Sequence, residues 1–284
     1  MSEQLGDVRE TTLSAGTVRY HERGEGPTLL FVHGLLTNAQ LWRDVVPELA
    51  GDYRCITPHW PLGSHPIPMR PDADLSPPGV ARLINEFMAA LDLDRTIVVA
   101  NDTGGALAQL LATRHPDRLS GLVLNSCDCF TNFFPPMFRY LQLLARIPGG
   151  PWAIANTLRI PALRTLPLAY GWLAHEMPRQ ASDSYVAPGV RSRDIRRDTA
   201  KFLRAVSSRY TLQAAEELRR FDAPTLVVWG EDDRFFPVSD GRRLSGLLPR
   251  GRFETIPGAR TFAPQDQPKA LGALIGAFAK EVSA

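Results

Sequence analysis

The chain is poor in several features that would otherwise narrow its role. It has three cysteines, Cys55, Cys127 and Cys129. An odd count with one Cys-x-Cys fits neither a disulfide framework nor a zinc site, so no metal is expected. Cys127 and Cys129 close an apolar stretch and read as buried thiols, with a reactive thiol beside a pocket as the alternative. Charge of one sign is also scarce. The formal net charge of +2 gives no pull toward nucleic acid or an anionic membrane. No apolar run reads as a membrane span, because the most apolar stretch, Pro151 to Ala174, is interrupted by Arg159, Pro161, Arg164 and Pro167. The opening Met-Ser-Glu-Gln-Leu-Gly-Asp is polar and acidic, unlike a signal peptide, so a cytoplasmic protein is expected. No internal repeat or low-complexity segment is found.

What remains is an ordinary globular composition: 284 residues, 44% hydrophobic and 22% charged, enough to bury a core without staples. Strand and helix signals alternate. Residues 10–24 suggest a hairpin and 27–33 a strand buried on both faces. A helix is expected over Ala39–Leu49, a strand over Tyr53–Thr57, and a helix from Ser76-Pro77 to about Leu91. Then come a strand at Thr96–Ala100, a helix at Thr103–Arg114 and a strand at Leu119–Asn125. From residue 129 to about 208 the pattern becomes helical segments broken by prolines. Alternation resumes with a strand at Pro224–Trp229, a helix at Val238–Leu248, a strand at Arg252–Ile256 and a helix at Gln267–Val282. The ordering implies an α/β protein with a doubly wound, mostly parallel sheet and a helical insertion. The core would span 1–128 and 209–284, and a helical cap 129–208.

Residues 96–105, Thr-Ile-Val-Val-Ala-Asn-Asp-Thr-Gly-Gly, form a strand, a tight turn of small residues and a helix start. This is the layout of the G-x-S-x-G nucleophile elbow, with Asp102 where the serine stands. His33-Gly34-Leu35-Leu36 follows an earlier strand. Gly230-Glu231-Asp232-Asp233 and Ile256 to Pro268 follow the last two. In order, these four segments resemble the α/β-hydrolase fold across nearly the whole chain. The resemblance implies an oxyanion hole from the backbone N–H groups of Leu35 and Thr103. It also implies a triad acid at Asp233, with Asp128 at the alternative acid position of some relatives. An acid at the elbow resembles the branch of haloalkane dehalogenases, fluoroacetate dehalogenases and epoxide hydrolases, in which the carboxylate attacks an sp³ carbon and forms an ester. The histidine that would activate water against that ester is replaced here by Thr261. The halide-binding Trp or Arg after the nucleophile is replaced by Thr103.

The chain has six histidines. His21 and His115 read as structural, His33 as orienting the oxyanion turn, and His175 as part of the cap. His59 and His65 flank Trp60 at the carboxyl edge of the sheet, so they are the candidates for a displaced base or a substrate donor. Asp102 could instead merely cap the helix that starts at Thr103. Asp233 is expected to pair with Arg260 or Arg234, while Asp128 could lie near Asp102 and split its pKa. The run Arg191 to Arg197 reads as a solvated helix face. The aromatic run with Phe130, Phe133 and Phe134 reads as a cap seam and a pocket wall, with His33, Leu36, His59 and Trp60 as further substrate contacts.

Three readings follow. The first is a non-hydrolytic enzyme without cofactor, acting on a medium or large organic molecule. In it Asp102 is a general base and the oxyanion hole serves cyclisation, elimination, isomerisation or carbon–carbon bond formation, as in natural-product biosynthesis. The second is a hydrolase of dehalogenase, epoxide or ester type, with His65 or His59 as the displaced base. The third is a ligand-binding relic. The oligomeric state stays open.

Overall fold

The computed structural model describes residues 3–283. Strands β1 (Asp7–Leu13) and β2 (Gly16–Arg23) form the expected opening hairpin, turning at Gly16 with a φ of +139°. β3 (Thr28–Val32) follows. The expected helix over Ala39–Leu49 is instead a 3₁₀ turn, Ala39–Trp42, and a short helix α1 (Val46–Leu49). Pro47 is the reason. Without an N–H it fits only a first helical turn, so the chain must restart there. β4 (Arg54–Pro58) leads to α2 (Pro77–Ala90), whose N-terminus is capped by Ser76 through Gly79 N.

β5 (Thr96–Asp102) runs directly into α3 (Thr103–Arg114), and β6 (Leu119–Cys127) closes the first half of the sheet. Five helices follow without a strand: α4 (Arg139–Arg146), α5 (Gly150–Leu158), α6 (Pro161–Arg164), α7 (Arg179–Arg191) and α8 (Arg193–Ala205). α9 (Ser208–Glu217) packs on α3, so the chain has rejoined the sheet layers by then. β7 (Thr225–Gly230), α10 (Val238–Leu247), β8 (Gly251–Ile256), α11 (Ala263–Asp266) and α12 (Pro268–Ser283) complete it.

The eight strands are ordered β1-β2-β4-β3-β5-β6-β7-β8. β2 is antiparallel to both neighbours, and every pairing from β4 to β8 is parallel. Parallel strands covered on both faces by helices need apolar residues throughout, and Leu29 to Val32, Ile97 to Ala100 and Leu226 to Trp229 are all buried. The chain leaves β3 toward β4 on one side and returns as β5 on the other. That reversal places a crevice at the carboxyl ends of β3 and β5, where ligands bind in open sheets of this kind.

Candidate active site

The passage from β5 to α3 has no connecting loop, so one residue must absorb the whole change of direction. Asp102 does this with φ 55° and ψ −131°. A non-glycine residue held there costs about 1–3 kcal/mol, and close packing around it compensates. A side chain on Gly104 would strike the carbonyls of Val32 and His33, and one on Gly105 would strike Cys127. A Cβ on Gly34 would collide with Asp102 Oδ2. The turn after β3 therefore lies directly against the carboxylate. Asp102 makes no regular N-cap bond farther into α3; the helix N–H that meets its carboxylate is that of Thr103.

Burial pushes the Asp102 carboxyl up to about 7, opposed by the backbone N–H of Thr103, reinforced by the charge of Asp233 and opposed again by the N–H of Leu35. Two more carboxylates belong to the cluster, Asp128 fully buried and Asp233 half-buried. Asp128 Oδ2 accepts from Thr103 Oγ1 at 2.9 Å. Its carboxyl is held well above the usual range, by burial first and the charge of Asp102 second. Asp233 Oδ1 accepts from Phe235 N, Phe236 N and Thr261 Oγ1 at 2.9, 2.9 and 3.0 Å. Burial still leaves its carboxyl raised. Three acids so placed cannot all be ionised cheaply at neutral pH, so the cluster retains protons.

The expected Asp233 salt bridge does not form. Arg234 stacks over Trp172, and Arg260 donates to the carbonyls of Gly171 and Ala174. The three N–H and O–H donors of its own loop and of Thr261 take the place of the guanidinium. Thr261 is fully buried and spends its hydroxyl proton on Asp233.

The six histidines lie outside the cavity lining. His65 is buried and bonded through Nε2 to Asp198 Oδ2 of α8 at 3.3 Å, away from the cavity wall. His59 Nε2 meets His21 Nε2 at 3.2 Å, on the β2 side of the sheet. His33 accepts the N–H of Trp60 on Nε2 and turns Nδ1 to the Gly34 carbonyl at 2.9 Å, which sets its proton on Nδ1 and rigidifies the oxyanion turn. His115 ends α3, and His175 pairs with Asp232 at the surface. Trp60 is likewise outside the lining, buried with its indole N–H on the Phe31 carbonyl.

Asp102 and Thr103 form the floor of a cavity of about 270 Å³. Leu35 and Leu36 form one side; Phe134, Leu141, Leu144, Ile154, Tyr170 and Leu173 form much of the rest. Among the aromatic candidates only Phe134 reaches the wall. Phe130 is buried beneath the Arg243 guanidinium and Phe133 packs edge-on against Phe134. The volume is below the typical range of about 300–1,000 Å³ for ligand pockets, so it suits a smaller molecule than the sequence suggested. Burial raises the thiols of Cys127 and Cys129 well above their usual range, which leaves them protonated and unreactive.

Two contributors escaped sequence reasoning. Asn101 Nδ2 donates to the carbonyls of Asn125, Ser126 and Thr261, at 3.0, 3.3 and 2.7 Å, and so ties the elbow to β6 and the last loop. A lone amide inside an apolar strand was its signal. Tyr170 lines the cavity and donates to the Leu36 carbonyl at 2.7 Å; nothing local marks it.

A parallel sheet with a strained acidic elbow, an adjoining glycine turn and a helical roof defines an α/β hydrolase. The chain belongs to the alpha/beta hydrolase fold family, which matches residues 27–266. It is 28% identical over 272 residues to haloalkane dehalogenase 2 of Mycobacterium tuberculosis, covering 92% of this chain and 91% of that one. It is 24% identical to an uncharacterized hydrolase, YugF, of Bacillus subtilis, over 98% and 100% of the two chains. The crystal structure of a haloalkane dehalogenase from Bradyrhizobium elkani superposes with a TM-score of 0.80 at 21% identity, covering 98% of each chain, and so shares the fold.

Proposed function

We propose that the protein is a dehalogenase-like α/β-hydrolase-fold enzyme that attacks an sp³ carbon with Asp102 and stops at the resulting ester. One observation carries the reading: a strained carboxylate on the floor of an apolar cavity, faced by the N–H groups of Leu35 and Thr103. In the attack, one Asp102 oxygen bonds to the carbon. With a haloalkane the carbon–halogen bond breaks, its electron pair leaves with the halide, and the product is an alkyl ester of Asp102. With an epoxide the strained C–O bond breaks, its pair stays on the tethered oxygen, which takes a proton from water, and the product is a hydroxyalkyl ester. The two N–H groups then hold the ester carbonyl, ready for an oxyanion should water add there.

The relatives named as dehalogenase and hydrolase support this reading over the one in which Asp102 is a general base. So does the geometry, because the N–H groups once assigned to a substrate oxygen already face the enzyme's own carboxylate. The second half-reaction is where this chain departs. Water addition needs a base; the position is held by Thr261, and His65 and His59 are engaged elsewhere. The ester is therefore long-lived.

Intact-protein mass spectrometry after incubation with 1-bromoalkanes and terminal epoxides tests this. A persistent increment on the wild type, one alkyl group from a bromoalkane or the whole mass of an epoxide, absent from Asp102→Asn, is expected. Rapid repeated halide release without an adduct would overturn the trapped ester, and neither adduct nor product would overturn the nucleophile.

A further inference from the structure

We propose that the roof of the cavity docks on an anionic lipid bilayer, so that apolar substrate enters from the membrane. Among the described residues ten large hydrophobic side chains are exposed, and eight of them fall between Met137 and Leu168. Isolated exposed apolar residues are common on proteins, but such a concentration marks a contact surface. Leu143 of α4 and Ile147, the extended residue that ends it, are both exposed, and Trp152 of α5 is 58% exposed. Tyr140, Leu166 and Leu168 are exposed and also line the cavity, so the apolar surface is continuous with the cavity rim.

Charge selects the partner. From Phe130 to His175 the chain has no Asp or Glu but four arginines. Arg164 is buried and paired with Asp183, whereas Arg139, Arg146 and Arg159 are exposed and form no salt bridge among the described residues. The whole-chain charge of +2 hides this local excess. Apolar side chains and a tryptophan interspersed with arginines match a headgroup region, where the cations meet lipid phosphates and the apolar groups enter the acyl boundary. A second copy of the chain fits poorly, since a two-fold contact through this face would set arginines against arginines. No helix among the described residues is long and apolar enough to cross a membrane, so the contact is superficial.

Sedimentation with phosphatidylcholine vesicles, with and without about one third phosphatidylglycerol, tests the proposal. The protein is expected to pellet with the anionic vesicles, weakly with the neutral ones, and less as salt rises. The triple variant Arg139→Gln/Arg146→Gln/Arg159→Gln should lower the partition coefficient on the order of a hundredfold. Leu143→Ser/Ile147→Ser should also weaken it; these side chains are exposed, so unchanged circular dichroism verifies folding. Failure to pellet with either vesicle, or equal pelleting of wild type and variants, would overturn the proposal. So would a dimer in size-exclusion chromatography that the serine variant dissolves, since the face would then join two copies.

Discussion

Asp102 is costly to fold because its charge is buried. Its carboxyl moves from an ordinary 3.8 to about 7 in the folded protein. A raised folded value means that its contribution to stability is complete below about 3.8 and is lost as pH rises through 7. The loss is of order 2–4 kcal/mol. Asp102→Asn should therefore raise the melting temperature, and by more at pH 8 than at pH 5; thermal melts at both values check the sign. The same titration governs alkylation, since only the carboxylate attacks. The rate of adduct formation should climb tenfold per pH unit up to about 7 and level off above it. At the other end of the site, Thr261→His should place a ring beside Asp233. General-base catalysis should then speed adduct loss by about 10²–10⁴, followed as halide release in multiple turnovers. The larger ring in a filled position should cost about 1–3 kcal/mol of stability.

At the scale of elements, the elbow and the turn after β3 act as one part. Gly34→Ala should push the Asp102 carboxylate from its place, because the new methyl overlaps Oδ2. A displacement near 1 Å costs about a hundredfold in rate, so adduct formation should fall by that order, and because Asp102 Cβ must also shift stability should fall by about 1–3 kcal/mol. This region was legible in the sequence. A run of apolar residues, one acid and two glycines specify strand, turn and helix locally, and α3 starts at Thr103 as the pattern implies. Its neighbours were less so. The helix expected from Ala39 breaks because Pro47 outweighs the apolar spacing. Asp233 turned from the arginines expected to pair with it to nearby N–H groups, because a backbone turn satisfies a carboxylate at shorter range than a long side chain reaching in.

Across the whole molecule, the roof is fastened to the sheet by buried polar joints. Asp198 of α8 is fully buried, accepts from Met69 N at 2.8 Å and from His65, and pairs with Arg197 at 2.9 Å. The arginine run thus partly braces the interior instead of lying wholly in solvent, as Arg197 also donates to the Met69 carbonyl at 2.6 Å. Asp198→Ala would leave these donors unpaired and should lower stability by about 3–5 kcal/mol. Denaturant melts measure that loss, and faster amide exchange around Met69 would locate it. A second joint ties the last loop to the end of the roof, where Phe262 N meets the Leu173 carbonyl at 2.7 Å beside Thr261. Sequence alone determined the fold class and the acid at the elbow, because strand periodicity, small turn residues and motif order are local properties of the chain. Only the tertiary structure decided which groups surround that acid. Histidines close to it along the sheet edge were drawn to Asp198 and to His21, and carboxylates far apart in sequence were brought together, because hydrogen-bond partners in a packed interior come from distance in space.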